Sequence, residues 1–263
     1  MSMNISRETV KYIAAASMLA DHFAVIFLPE GTFGYVLCRM AGGMTAITMC
    51  YFLAEGFRHT ACLHRYKRRL LVFALLAQIP YQLAFAKIPM RAAPMNMLFN
   101  LYFSLCFLEL TVEGSAQSDP HPAVRQKIKT AVQIIRPGLP VLLAVLCCLC
   151  DWSFLAPAYV LLFFRLLQQG TCRSRAAAFR TWAAAIALNA LMCTAAALNS
   201  ENSLWWCAYL SLPGQICSFI LIENGYHGRQ LQRNRCFHKW FFYLWYPLHL
   251  LMLWVCAIVS TLA

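Results

Sequence analysis

The chain has 263 residues, of which 61% are hydrophobic and only 12% charged. That balance excludes a water-facing globular fold, because so little polar surface cannot cover so much apolar side chain, and it makes lipid the natural solvent. A formal charge of +12 would point to nucleic acid in a soluble protein, but in a membrane protein its meaning depends on which loops carry the basic residues.

A spanning helix needs roughly 20 mostly apolar residues set between turn or charge clusters. Nine segments fit, at about 8–28, 34–55, 69–86, 95–112, 137–150, 152–169, 180–198, 204–222 and 240–262. The expected fold class is all-α: a polytopic integral membrane protein of about nine transmembrane helices, forming a single domain over residues 1–263. The first segment follows Arg7 and Lys11 as a signal peptide would. It is long enough to span, however, and it carries Asp21 and His22, which a disposable leader does not need. The fifth segment is short and meets the sixth at Cys150-Asp151-Trp152, so the two read either as separate helices or as one broken hairpin. The polar stretch from Glu113 to Lys129 reads as a loop between the fourth and fifth segments.

Lys and Arg test this count, because alternate loops of a multi-pass protein differ in positive charge. On one side fall Arg7, Lys11, Arg58, Arg65, Lys67, Arg68, Arg69, Arg125, Lys127, Lys129, Arg136, Arg173, Arg175, Arg180, Arg229, Arg233, Arg235 and Lys239. These are 18 of the 22; Lys87 and Arg91 lie opposite, while Arg39 and Arg165 fall inside segments. The asymmetry predicts a cytoplasmic amino terminus and an external carboxyl terminus. Most of the 13 cysteines stand singly in apolar runs, where Cys behaves as a small hydrophobe, so no disulfide framework is expected.

An ionisable side chain at mid-membrane costs about 2.5–3.5 kcal/mol on insertion scales, so each one should face protein or water and serve a purpose. With a rise of about 1.5 Å per residue, His22 and Arg39 share a layer roughly 6–8 Å outside the midplane, with Asn96 and Asn100 on the same side. Gln78, Gln215 and His249 fall close to the midplane. Asp21 and His22 are helix neighbours about 100° apart and so do not form a ready-made dyad; Asp21 pairs with Arg39 or with another helix, and the sequence leaves that open. At the mouth of the second segment, Glu55-Gly56-Phe57-Arg58-His59-Thr60 precedes Arg65-Tyr66-Lys67-Arg68-Arg69. That guanidinium density suits phosphates, which Arg grips through paired hydrogen bonds, or equally anionic lipid headgroups.

Leu19-Ala20-Asp21-His22, Arg39, the run from Phe52 to Thr60, Arg68-Arg69-Leu70, Gln78-Ile79-Pro80 and the closing stretch Lys239 to Leu250 together resemble the TraX family. The resemblance covers nearly the whole length and is strongest over 19–82 and 239–250. It implies a multi-pass protein of the bacterial inner membrane that acetylates with acetyl-CoA as donor, the founding members acetylating the amino terminus of conjugative pilin. More distantly, it implies kinship with transmembrane acyltransferases that use a membrane histidine.

On that expectation, His22 acts as general base or acetyl acceptor, aided by Asp21, Arg39, Asn96, Asn100 and His249, with Arg39 and the asparagines stabilising charge on the thioester oxygen. Glu55, Arg58, His59, Arg65, Arg68, Arg69 and Gln78 are expected to line the donor's entrance. The partners implied are the bilayer, acetyl-CoA and an acceptor carrying an amine or hydroxyl, with no metal and no nucleic acid. Each residue also has a structural reading: His22 as a satisfied core histidine, Arg39 as a counter-ion, the asparagines as interhelical glue, and His249 as packing in an aromatic helix. Two other classes compete. Buried His, Asp and Arg also build proton relays in transporters or flippases. Cys147 and Cys150 are spaced as C-x-x-C, but in an apolar helix end without a basic neighbour, a weak redox signal.

Overall fold

The structure is a computed structural model and describes residues 5–85, 95–113, 138–199, 204–231 and 233–262. Among these lie nine α-helices: α1 (Arg7–Phe27), α2 (Phe33–His59), α3 (Leu63–Phe85), α4 (Met97–Glu113), α5 (Gly138–Cys148), α6 (Leu155–Gln168), α7 (Arg175–Leu198), α8 (Ser211–Gly225) and α9 (Arg235–Leu262). Short 3-10 turns occupy Gly170–Cys172 and Trp205–Leu210. Lys87, Arg91, Arg125, Lys127, Lys129 and Arg136, which carry part of the expected charge asymmetry, lie outside the described residues.

Five stretches are long and apolar enough to cross a membrane: α1, α2, α7, Trp205–Gly225 and Arg235–Ser260. Three further apolar helices, Met97–Val112, Gly138–Cys148 and Leu155–Gln168, are shorter. The architecture is that of an all-α membrane protein. Several helices run past the apolar segments that announced them: α2 continues to His59, α3 begins at Leu63, α7 at Arg175 and α9 at Arg235. Arg and Lys are good helix formers, so a helix need not stop where its hydrophobic run stops. Arg65, Arg68 and Arg69 accordingly sit on the first turns of a helix and not in a loop.

Local signals set the helix starts. The Ser6 hydroxyl accepts from the Thr9 amide at 3.2 Å, Thr32 from Tyr35 at 3.4 Å and Ser174 from Ala177 at 3.0 Å, each satisfying a first-turn N–H that has no helical partner. Between α5 and α6 the chain turns through Trp152 and Ser153, both at positive φ (64° and 30°), so residues 138–168 form two short helices joined by a turn.

Packing is organised around two helices: α2 contacts α1, α6 and α8, whereas α9 lies against α3 and α1. Small residues let the backbones meet, as is usual where lipid supplies no hydrophobic drive between helices. A Cβ on Gly43 would lie 1.9 Å from the Ser211 carbonyl oxygen, and one on Gly214 would lie 2.3 Å from that of Met40. The indole N–H of Trp245 donates to the Ala15 carbonyl at 3.2 Å, fixing the register of α9 on α1. That contact brings the two ends of the chain together around the site.

Candidate functional site

Lys11, Ala15, Met18, His22 and Val25 recur at spacings of four and three along α1 and form one stripe, which lines a cavity of about 450 Å³. Tyr35, Arg39, Gly42, Ala46 and Met49 of α2 line the facing wall. A second cavity, of about 410 Å³, is bordered by Arg7, Lys11, Arg69, Arg235, His238 and Lys239, with His59 also on its wall. The two cavities share Lys11, Met49, Leu98, Leu101 and Phe242. This shared wall is apolar except for Lys11. The Lys11 Nζ lies 5.4 Å from the ring centres of both Phe52 and Phe242, within the range over which an aromatic face holds a cation.

His22 is buried, at 5% exposure, and so is His249, at 1%. The His22 Nδ1 lies 2.9 Å from the His249 Nε2, and the His249 Nδ1 lies 2.8 Å from the Trp245 carbonyl oxygen. Phe85 meets the His22 ring edge-on at 5.2 Å. His22 is a wall residue of the larger cavity, whereas His249 stands behind it and is not. Pro247 lies inside α9, two residues before His249, and cannot donate the helical bond to the Tyr243 carbonyl.

Asp21 and Arg39 form an ion pair on the same cavity wall, which answers the question the sequence left open. Buried as it is, the Arg39 Nε has no hydrogen-bond partner among the described residues, so the guanidinium keeps a donor beside the cavity.

The remaining expected site residues divide. Asn96 is drawn away from the cavity: its amide donates to Gln78 Oε1 and to the Ala74 carbonyl, both at 2.8 Å. The same bonds occupy Gln78. Asn100 donates to the carbonyls of Asp151 and Ser153 at 2.8 and 2.7 Å, holding the α5–α6 turn against α4. Neither asparagine lines the cavity, so both take the helix-gluing role that membrane interiors favour for amides. Glu55 is buried in an ion pair with Arg7 at 3.2 Å and accepts from the Tyr226 hydroxyl at 2.6 Å. Burial and the Glu55 carboxylate push the Tyr226 phenol up, which keeps it protonated as the donor. Arg58 donates to the Leu167 carbonyl in the last turn of α6. Arg65 and Arg68 are exposed and do not border the smaller cavity; of the expected arginines, Arg69 alone does, together with His59.

What sequence reasoning missed is the basic set of the smaller cavity. Arg7, Lys11, Arg235 and Lys239 were read only as topological charges, and His238, which hydrogen-bonds Tyr12 at 2.8 Å, was not singled out. Their common signal is position: all fall within the first five residues of a helix. Cys147 and Cys150 are buried free thiols, and neither lines either cavity.

The fold and cavities define a class: an all-α membrane protein whose helices enclose a buried histidine pair behind a basic vestibule. The chain belongs to the TraX family, whose model, described as TraX protein, matches residues 6–257. The chain is also similar to "Probable fimbrial assembly protein FimC, serogroup H1" of Dichelobacter nodosus, 29% identical over 262 residues, which covers 96% of this chain and 97% of that protein. No solved structure matches the chain.

Proposed function

We propose that this protein is a membrane-embedded acetyltransferase that moves the acetyl group of acetyl-CoA to an amine or hydroxyl, with His22 as general base. The observation that carries the reading is the placement of His22 on the wall of a cavity that adjoins, across side chains that include Lys11, a vestibule lined by Arg7, Arg69, Arg235 and Lys239. The donor is a nucleotide with several phosphates at one end and a slender arm ending in a thioester. Its phosphates suit the basic vestibule and Lys11 beside it, and its arm suits the apolar side chains shared by the two cavities.

Length supports the match. Lys11 and His22 are eleven residues apart on one face of α1, which is about 16 Å of helix. Thirteen bonds separate phosphorus from sulfur in phosphopantetheine, and an extended chain advances about 1.2 Å per bond, giving about 16 Å.

In the reaction, the acceptor nitrogen or oxygen attacks the thioester carbonyl while its proton passes to the His22 imidazole. The C–S bond then breaks, and the CoA thiolate leaves and takes that proton, so acetyl-CoA and acceptor become CoA thiol and acetylated acceptor. The Arg39 Nε–H is the donor for the oxygen on which negative charge develops. The relative named for fimbrial assembly supports a pilin-type amino terminus as acceptor. On this reading, nine spans place the basic end and the amino terminus in the cytoplasm, the carboxyl terminus outside and the protein in the bacterial inner membrane.

The test uses purified protein in lipid vesicles, labelled acetyl-CoA and native membrane extract. Label transfer by the parent protein and its loss in His22→Ala, with unchanged melting and unchanged CoA affinity, are expected. Full transfer by a folded His22→Ala, or no measurable CoA binding by the parent, overturns the reading.

A further inference from the structure

The hydrogen bonds behind His22 carry a direction. A carbonyl oxygen only accepts, so the Trp245 carbonyl must receive its 2.8 Å bond from an N–H on His249 Nδ1. The ring nitrogens of His249 meet a carbonyl and an imidazole, and neither is an anion that would sustain a cation in an interior where the residue is 1% exposed. A neutral ring with hydrogen on Nδ1 carries a lone pair on Nε2. The 2.9 Å bond to His22 must then run from the His22 Nδ1–H into that lone pair.

Ring geometry agrees with a straight, in-plane bond. A ring nitrogen lies roughly 1.1 Å from the ring centre, so two imidazoles joined edge to edge by a linear bond have centres about 5 Å apart. The observed separation is 5.1 Å, with the planes only 16° apart. Trp245 and His249 are likewise 16° from parallel, and Tyr246 meets His249 edge-on at 5.6 Å. The ring of His249 is thus confined on two sides.

We infer that His249 is a positioning residue: through the chain Trp245 carbonyl, His249, His22, it locks His22 in the tautomer that bears hydrogen on Nδ1 and leaves the basic lone pair on Nε2. An isolated neutral imidazole distributes its proton between both nitrogens, and the wrong tautomer has no base at Nε2. His249 itself touches neither cavity nor substrate. Its catalytic consequence rests on the proposal that His22 is the base, while the tautomer itself does not.

The two claims are therefore measured separately. In protein carrying 15N-labelled histidine, the seven residues are resolved by nitrogen NMR, and His22 is assigned from the signal that His22→Ala removes. The parent is expected to show His22 with protonated Nδ1 and bare Nε2, without any acetyl-CoA present. His249→Leu, which has no acceptor, should release His22 into a mixture of tautomers and lower kcat about a hundredfold while leaving the KM for acetyl-CoA within twofold. His249→Gln, whose carboxamide oxygen can receive the same N–H, should restore the parental tautomer and most of kcat.

A parent His22 with hydrogen on Nε2 overturns the inference, as does a His249→Leu that keeps the parental tautomer. So does a folded His249→Gln as inactive as His249→Leu, since a packing role would not discriminate by acceptor. The expected tautomers in a protein that transfers no acetyl group to any acceptor would sink the proposed reaction and leave the relay standing.

Discussion

Replacing Gly43 by Ala is expected to force α2 and α8 apart. A Cβ there would lie 1.9 Å from the Ser211 carbonyl oxygen, 2.6 Å from its carbon and 2.8 Å from the Ser211 Cα. All three atoms are backbone, so no rotamer relieves the contact. An ordinary close approach of carbon to carbonyl oxygen is about 3.3 Å, so α2 and α8 must part by roughly 1.4 Å. The same seam holds Gly214, whose own Cβ would lie 2.3 Å from the Met40 carbonyl, and the strain cannot be shed by sliding along the pair. Overpacking costs typically 1–3 kcal/mol, and a rigid backbone on both sides puts Gly43→Ala near the upper figure, about 3 kcal/mol. For a chain of this size each kcal/mol moves the melting midpoint by about 2–4 °C, so a fall of about 6–12 °C is expected. The assay is thermal melting of detergent-solubilised protein at a fixed scan rate, with Gly138→Ala beside it. A Cβ on Gly138 meets nothing within 4 Å, and that variant should melt with the parent. Melting of Gly43→Ala within about 2 °C of the parent would refute the close approach of α2 and α8.

Two further substitutions separate the cavity from its surroundings. Lys11→Ala and Arg69→Ala should each weaken CoA binding about tenfold, the worth of one charge-assisted contact, whereas Arg58→Ala, whose guanidinium serves the Leu167 carbonyl, should leave the affinity unchanged and lower the melting point; calorimetric titration of CoA decides, and equal losses in all three would dissolve the distinction. Asn100→Ala should cost about 1–3 kcal/mol of stability through the two carbonyls it leaves bare, with kcat per folded molecule within twofold of the parent. A drop in kcat of about 10²–10³, the usual effect of losing an oxyanion donor, would return Asn100 to the site.

How much of this was legible in the sequence depended on whether the signal was local. Hydropathy located every described helix, because apolar runs and the charges between them are properties of the chain alone. It misplaced their basic ends: the same Arg and Lys residues that end an apolar run continue the helix that carries it, as in α3 and α9. The burial of His22 was likewise readable, since an ionisable residue inside a spanning segment has to face protein. The asparagines stood out for the same reason. A buried amide is as conspicuous as a buried base, and only its partners, Gln78, Ala74, Asp151 and Ser153, distinguish a strut from a reactant.

The stripe on α1 and the relay behind it mark the boundary of that legibility. Lys11 and His22 are eleven residues apart, three helical turns, so their common face follows from periodicity alone; Lys11 escaped notice because a cation near a helix start has a sufficient topological explanation. His249 is different. Its bond to His22 spans 227 positions and depends on α9 lying beside α1, a pairing that no local pattern specifies. A base needs both a cavity and a fixed tautomer, and the two requirements are met by different parts of the chain. The cavity wall comes from the stripes of α1 and α2, and the tautomer comes from the Trp245 carbonyl in the proline-containing turn of α9. Conditions that loosen α9 from α1 should therefore abolish the tautomer preference of His22 while leaving Arg7, Lys11 and Arg69, which α1 and α3 carry, at the vestibule.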